Sequence, residues 1–162
     1  MMTQAPTKRS TSSLQPQRDE QKLVGAWTLV SCFMEDTETK ERKEVWGEHP
    51  NGCLVLTAAG HWIVVQTAEG RKNPQTDEGR IAAFRSMLAY SGRYRIEGRK
   101  IVIKVEIAWD ESWVGTEQVR YFSMEGGQLH IEAAPQRYAN LGDKDMRAVL
   151  VWKSAGESKE QS

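Results

Sequence analysis

Apolar and polar residues alternate with a period of two over most of this 162-residue chain, and turn-forming residues interrupt the alternation every few positions. That pattern predicts short, half-buried strands joined by tight turns. The first runs from Ala26 to Met34, with Trp27, Leu29 and Phe33 sharing a face. Gly52 to Thr57 and His61 to Thr67 follow, joined by Ala58-Ala59-Gly60, where glycine suits the positive φ of a hairpin turn. Arg93 to Glu97 and Lys100 to Trp109 form another hairpin around Gly98, with Ile101, Ile103, Val105, Ile107 and Trp109 on one face of its second arm. Thr116 to Met124 and Gln128 to Ala133 pair across Gly126-Gly127. Met146 to Lys153 closes the series, with Met146, Ala148, Leu150 and Trp152 in register.

One segment departs from this period. From Thr76 or Asp77 to about Tyr90, the apolar residues Ile81, Phe84 and Leu88 fall at helical spacing. Asp77 and Glu78 stand in the first turn, where the helix dipole favours acids, and Gly92 suits the stop. The segment reads as a single inserted helix whose apolar face lies against the sheet or caps its open end. Eight sequential antiparallel strands in an open sheet would leave two unpaired edges, which closure removes. The expected fold class is therefore all-β: an eight-stranded antiparallel up-and-down barrel with one inserted helix, wide enough for side chains or one small ligand. A flat sandwich is the alternative.

Composition and charge narrow the partners. Lys plus Arg and Asp plus Glu both number 22, so no basic excess supports nucleic-acid binding through phosphate neutralisation. Residues 1–22 carry no apolar run and read as a disordered leader, neither signal peptide nor membrane span. Residues 154–162 read as a disordered tail, which leaves 23–153 as the domain. Cys32 and Cys53 lack metal-site spacing and are too few for a disulfide scaffold, so both are expected as reduced thiols, although pairing across neighbouring strands stays open. The expected compartment is the cytoplasm, and the expected state a monomer or homodimer.

Leu23-Val24-Gly25-Ala26-Trp27-Thr28-Leu29-Val30-Ser31 resembles the opening strand of lipocalins and fatty-acid-binding proteins, with its Gly-x-Trp. Tyr90-Ser91-Gly92-Arg93-Tyr94, Trp113-Val114-Gly115-Thr116-Glu117-Gln118-Val119-Arg120 and Leu150-Val151-Trp152-Lys153 resemble the bacterial and fungal lipocalin-like domain family of leaderless single-domain proteins. The resemblance spans residues 23–153. It implies an eight-stranded barrel with an internal cavity, with Trp27 packed over one closed end. Some relatives in the wider group resemble cofactor-free cyclases or isomerases. Relatives carry a histidine in the strand equivalent to Ile101–Ile107, whereas this chain reads Ile103-Lys104-Val105-Glu106, so chemistry resting on that histidine is absent here.

Several positions are candidates for a site. Arg120 shares a strand face with Gln118 and Phe122, and its guanidinium suits a carboxylate or enolate oxygen through two parallel hydrogen bonds. An Arg that closes the barrel end through backbone carbonyls is the structural alternative. His61, in register with Ile63 and Val65, would serve as a general base if it faces inward, and His130 alternates with Leu129 and Ile131 toward water. Tyr94, Tyr90, Trp62, Trp109 and Trp113 are expected as aromatic walls, with Trp109 to Trp113 at a barrel mouth. Arg93, Arg95, Arg99 and Lys100 read as a solvated basic strip, and Lys104 pairs with Glu106 outside. The histidines show no metal-ligand spacing, and no phosphate loop, nucleotide fingerprint or nucleophile elbow occurs, so neither metal nor cofactor is expected.

Two functions share this pocket. One is binding of a small, largely apolar molecule with an acidic or carbonyl group, through Arg120, Gln118, Phe122, Tyr94, Trp62, Trp109 and Trp113. The other is a cofactor-free isomerase, cyclase or hydratase that uses acid/base chemistry, with His61, Arg120 and Tyr94 as catalytic candidates. An acid/base residue inside the cavity distinguishes the second from the first. A filled barrel acting as an interaction module is the third possibility.

Overall fold

A computed structural model describes residues 14–138 and 142–156, the side chains of 14–18 and 138 excepted. A helix α1 spans Leu14–Leu23, so the second half of the expected irregular leader is helical. Residues 1–13 and 157–162, the rest of the expected leader and tail, lie outside the described residues. Ten strands follow: β1 Gly25–Asp36, β2 Arg42–Lys43, β3 Asn51–Leu56, β4 His61–Thr67, β5 Met87–Glu97, β6 Lys100–Ala108, β7 Glu117–Glu125, β8 Gln128–Ala133, β9 Gln136–Tyr138 and β10 Lys144–Ser154. Eight of them form an antiparallel meander, β1-β3-β4-β5-β6-β7-β8-β10, and β10 pairs back onto β1. The sheet is closed. The short β2 and β9 extend β1 and β10 at the open end.

The closed end is solid. Trp27, Leu29, Leu54, Leu56, Ile101, Ile103, Phe122 and Leu129 pack there with Leu23, the last residue of α1. Trp27 donates its indole N–H to the Leu23 carbonyl at 2.9 Å, which ties the helix end to the barrel floor. The family resemblance implied the packing of Trp27 over this end, and the bond to α1 adds to it.

Two β-bulges break the alternation, and each reverses which side chains face inward. In β1 the register slips between Leu29 and Ser31. Cys32 and Met34 are therefore buried, while Phe33, expected to share a face with Trp27 and Leu29, turns out under the Arg42 guanidinium, 4.1 Å from its ring centre. In β6 the partners of Ser91 and Gly92 are Ile107 and Val105, which leaves Glu106 as the extra residue. Ile107 is thereby turned to solvent at 70% exposure, and Ala108 takes the inward place. Gly92 is required at this crossing, because a Cβ there would lie 1.9 Å from the Lys104 carbonyl oxygen. Lys104 uses its amine on the Gly115 carbonyl, and no ion pair joins it to Glu106 among the described residues.

The inserted helix is shorter than expected. α2 spans Asp77–Arg85, capped by Thr76, whose hydroxyl accepts from the Gly79 N–H at 3.1 Å. Ser86 ends it and Arg71 donates to the Ala83 carbonyl, so Leu88 and Tyr90 belong to β5. Its apolar face is not packed on the sheet: Ile81 and Phe84 are about half exposed. Short-range spacing could not separate the last helical turn from the first inward positions of β5, since Phe84 and Leu88 fit both readings.

At the open end the β1–β10 seam is braced by charge. Glu35, buried, accepts from Arg147 at 2.6 Å and from Arg42 at 3.1 Å, and Arg147 also reaches Glu132 at 2.8 Å. The Arg147 guanidinium, with Arg42 behind it, holds the Glu35 carboxyl below the usual range against the cost of burial. Asp36 accepts from the backbone N–H groups of Glu38 and Thr39, with Lys144 at 3.2 Å, and its pKa is lowered to about 2.

Two outcomes follow. Gly92→Ala should cost about 3 kcal/mol in chemical denaturation, because the clash is with backbone rather than with a movable side chain. Asp36→Asn should lower Tm at neutral pH. The folded pKa of Asp36 lies below the unfolded value of about 3.9, so its contribution is present above that pH and vanishes as the pH falls toward 2. Melting curves between pH 7 and 2 should show the gap between native and Asp36→Asn closing over that window.

Candidate functional site

Between the floor and the open end the barrel encloses a cavity of about 450 Å³, within the ~300–1,000 Å³ typical of small-molecule sites. Its size argues against a barrel filled solid. The apolar wall comes from Val64, Leu88, Ile131, Ala148 and Leu150, with Cys32 and Met34 beyond the β1 bulge. Burial pushes the Cys32 thiol up to about 12, so it behaves as an inert wall atom. Cys53 lies on the outer face, and both thiols are free. Val45, Trp46 and Arg85 of α2 stand at the mouth, where α2 and the loop before β3 meet.

The aromatic walls form a connected series. Trp62 stacks on Tyr90 with ring centres 6.1 Å apart, Tyr90 meets Trp113 at 5.4 Å, and Trp113 meets Trp109 edge-on at 5.0 Å. Phe84 of α2 continues it at 6.3 Å from Trp109. The turn Glu111–Trp113, capped by Asp110 through the Ser112 N–H at 3.0 Å, swings Trp113 over the mouth. Trp113 and Trp62 line the cavity; Trp109 backs Trp113 without lining it.

Polar groups converge at mid-depth. Arg120, opposite Ala133 on β8, donates to its neighbour's carbonyl at Val119 at 2.9 Å and reaches the Gln118 side-chain oxygen at 3.5 Å. Its guanidinium carbon lies 5.9 Å from the Tyr90 ring centre. Among the described residues neither Asp nor Glu lines the cavity, and the charged ones on its wall are Arg120 and Arg85. Arg120 is thus tethered to the backbone but left without a carboxylate. Two further polar atoms on wall residues, Trp152 Nε1 and Gln66 Oε1, are buried without a hydrogen-bond partner, and Trp62 Nε1, equally buried, faces the Tyr90 phenol. Each unpaired atom costs roughly 1–3 kcal/mol relative to a paired one.

The remaining candidates fall elsewhere. His61 is exposed and points outward, with Nε2 at 2.9 Å from Arg93, because the inward set of β4 is Trp62, Val64 and Gln66. Ile63 and Val65, its expected companions inside, are nearly half exposed. The tie between two apolar faces is broken by His61 and Thr67, both polar and both on the outer set. Tyr94 lies at the closed end, donating its hydroxyl to the Thr57 carbonyl at 2.8 Å, and does not line the cavity. Burial and the nearby Glu20 raise its pKa. Phe122 packs in the core below the cavity. His130 lies 3.9 Å from Glu125 on the outer side. Gln66, Arg85 and Trp152 were not singled out as site residues. Gln66 follows from the correct face of β4, Trp152 from the register of β10, and Arg85 carries no signal before α2 is placed.

A model of the lipocalin-like domain covers residues 24–155. The chain belongs to the lipocalin-like domain family. Among curated proteins no sequence matches it. Among solved structures it is similar to a mutant of the fluorescent protein UnaG, at 14% identity, with 85% of this chain and 99% of that one covered and a TM-score of 0.39. Among the described residues of this lipocalin-like protein no helix is long and apolar enough to cross a membrane, and no three His, Cys, Asp or Glu side chains cluster to hold a metal ion.

Among the described residues the cavity wall holds one tyrosine, Tyr90. Burial pushes its phenol above the usual value near 10, while Arg120 beside it and the Trp62 indole oppose that rise. Unfolding exposes the phenol, which then ionises near pH 10, so stability contributed by the neutral form is lost as the pH rises past that point. Absorbance titration of the folded barrel should show a late-ionising component from Tyr90 and Tyr94, and Tyr90→Phe should remove one tyrosine's share of it.

Proposed function

We propose that this lipocalin-like barrel binds a small, largely apolar molecule through an acidic or carbonyl group held by Arg120. The observation that carries the reading is an arginine inside an otherwise apolar and aromatic cavity with no acidic wall residue to neutralise it. Gln118, the Val119 carbonyl and the Tyr90 phenol orient the guanidinium, whose five N–H donors suit an oxyanion in paired, charge-assisted bonds. Trp62, Tyr90 and Trp113 supply flat apolar contact around it. Two free thiols suit the reducing compartment of the cytoplasm.

An isomerase, cyclase or hydratase in the same cavity needs a general base within reach of the ligand. The wall offers neither His, Asp nor Glu, and its phenol, Tyr90, is held protonated. Binding therefore has the better support.

Arg120→Met keeps most of the bulk and removes the charge. It should weaken binding of decanoate, measured by isothermal titration calorimetry, by about 10- to 100-fold, since a hydrogen bond to a charged group contributes roughly 1.5–3 kcal/mol. Binding of decan-1-ol should change by less than about threefold. Unchanged decanoate affinity alongside a collapse in thermal stability would assign Arg120 to the scaffold.

A further inference from the structure

The outer surface of the barrel is not uniformly polar. Val55, Ile63, Ser91 and Ile107 stand side by side in one outward row across β3, β4, β5 and β6. The next row toward the open end holds Cys53, Val65 and Ala89, and it ends on Trp109, whose backbone N–H donates to the Ala89 carbonyl at 2.8 Å. None of these positions is charged. Ile63 and Val65 are 48% and 45% exposed, and the β6 bulge turns out Ile107 at 70%. Phe84 of α2 packs on Trp109, with Ile81 one helical turn away. Both are about half exposed, so the helix prolongs the apolar face instead of covering it. Charged residues stand at the border, Arg93 beside His61 toward the closed end and Glu106 on β6.

Single exposed apolar side chains need no explanation, but a contiguous face does. Ile63, Val65, Ile107, Ile81 and Phe84 together present on the order of 500 Å², well within the roughly 300–600 Å² of the largest and often functional patch on a monomer. The terminal segments outside the described residues supply no cover of matching chemistry: 1–13 hold no large apolar side chain besides Met1 and Met2, and 157–162 hold none. A second copy does. An uncharged face opposes itself across a two-fold axis without setting like charges together. Two such faces would bury on the order of 1,000 Å², where specific interfaces begin. An apolar centre inside a border that carries both signs is also the layout of an interface. We propose that the chain self-associates as a two-fold dimer through the outer face of β3 to β6 and α2. The contact lies outside the barrel wall and does not depend on what the cavity holds.

Sedimentation velocity on the full chain should show a monomer below about 1 µM and a dimer above about 100 µM, the range for an interface of this modest size. Ile107→Glu and Val65→Lys should each raise the dissociation constant at least about tenfold, because a two-fold contact meets every substitution twice. Ile107 is mostly exposed in the single chain, so its replacement should leave the melting temperature of the monomer close to native. The native chain offers a second measurement. Cys53 is exposed and lies within the face, whereas Cys32 is buried, so reaction with dithiobis(nitrobenzoate) reports Cys53. Its rate should fall as protein concentration rises through the dimer range. A native chain that remains monomeric above about 100 µM overturns the dimer. So does a dimer that both substitutions leave equally tight while Cys53 reacts at an unchanged rate, because the contact then lies on another face. A monomer that sediments with phosphatidylcholine vesicles, and no longer does so as Ile107→Glu, gives the face to a lipid surface and likewise overturns it.

Discussion

β1 and β10 meet through nine backbone pairs, from Trp27 opposite Ser154 to Asp36 opposite Met146, and the interior exists only because they do. A meander of this length left open would carry two long edges of unsatisfied N–H and C=O groups and a crease in place of a cavity. Side chains reinforce the seam where backbone pairing alone is weakest, at the open end. There Arg147 joins Glu35 of β1 to Glu132 of β8, and Arg42 of β2 covers Glu35 from the other side. A buried carboxylate between two arginines adds little net stability, since desolvation offsets most of the attraction. What it does is fix which residues face each other across the join.

Depth along the barrel separates two tasks. Below, Leu23, Trp27 and their neighbours are packed without space, and α1 is bound to them through the Trp27 indole. Above, large aromatic rings stand apart from one another around an empty volume, with an unneutralised guanidinium among them. A folding requirement explains the first arrangement and not the second. Polar atoms without partners in the upper half are a standing cost, and proteins retain such costs where a ligand relieves them.

Much of the architecture was legible because most strands are bounded by turn residues and show one clear apolar face. Met146, Ala148, Leu150 and Trp152 are an example, and Leu129 with Ile131 is another. Legibility failed in three places for physical reasons. Bulges at Val30 and Glu106 reverse the alternation without any marker in residue type, which misplaced Phe33 and Ile107. In β4 both faces are apolar, so His61 was drawn inward by Ile63 and Val65. At the end of α2 helical and strand spacing overlap. For the site, Arg120 and Gln118 stood out as polar residues sharing a strand face with Phe122, and Trp62 and Trp113 as aromatic residues suited to a wall. Gln66 and Trp152 stayed hidden because a lone polar atom in an apolar run is recognised as unpaired only once its neighbours are known.

The bulge in β6 reaches beyond register. One additional residue, Glu106, exchanges isoleucine for alanine at the inward position near the end of β6 and turns the larger side chain out to solvent. The interior carries about three fewer carbon atoms there than an unbroken strand would place in it. Removing a single codon there would swap the two residues back and put the larger side chain inside, so in this scaffold the packed volume is adjustable by insertion or deletion as readily as by substitution.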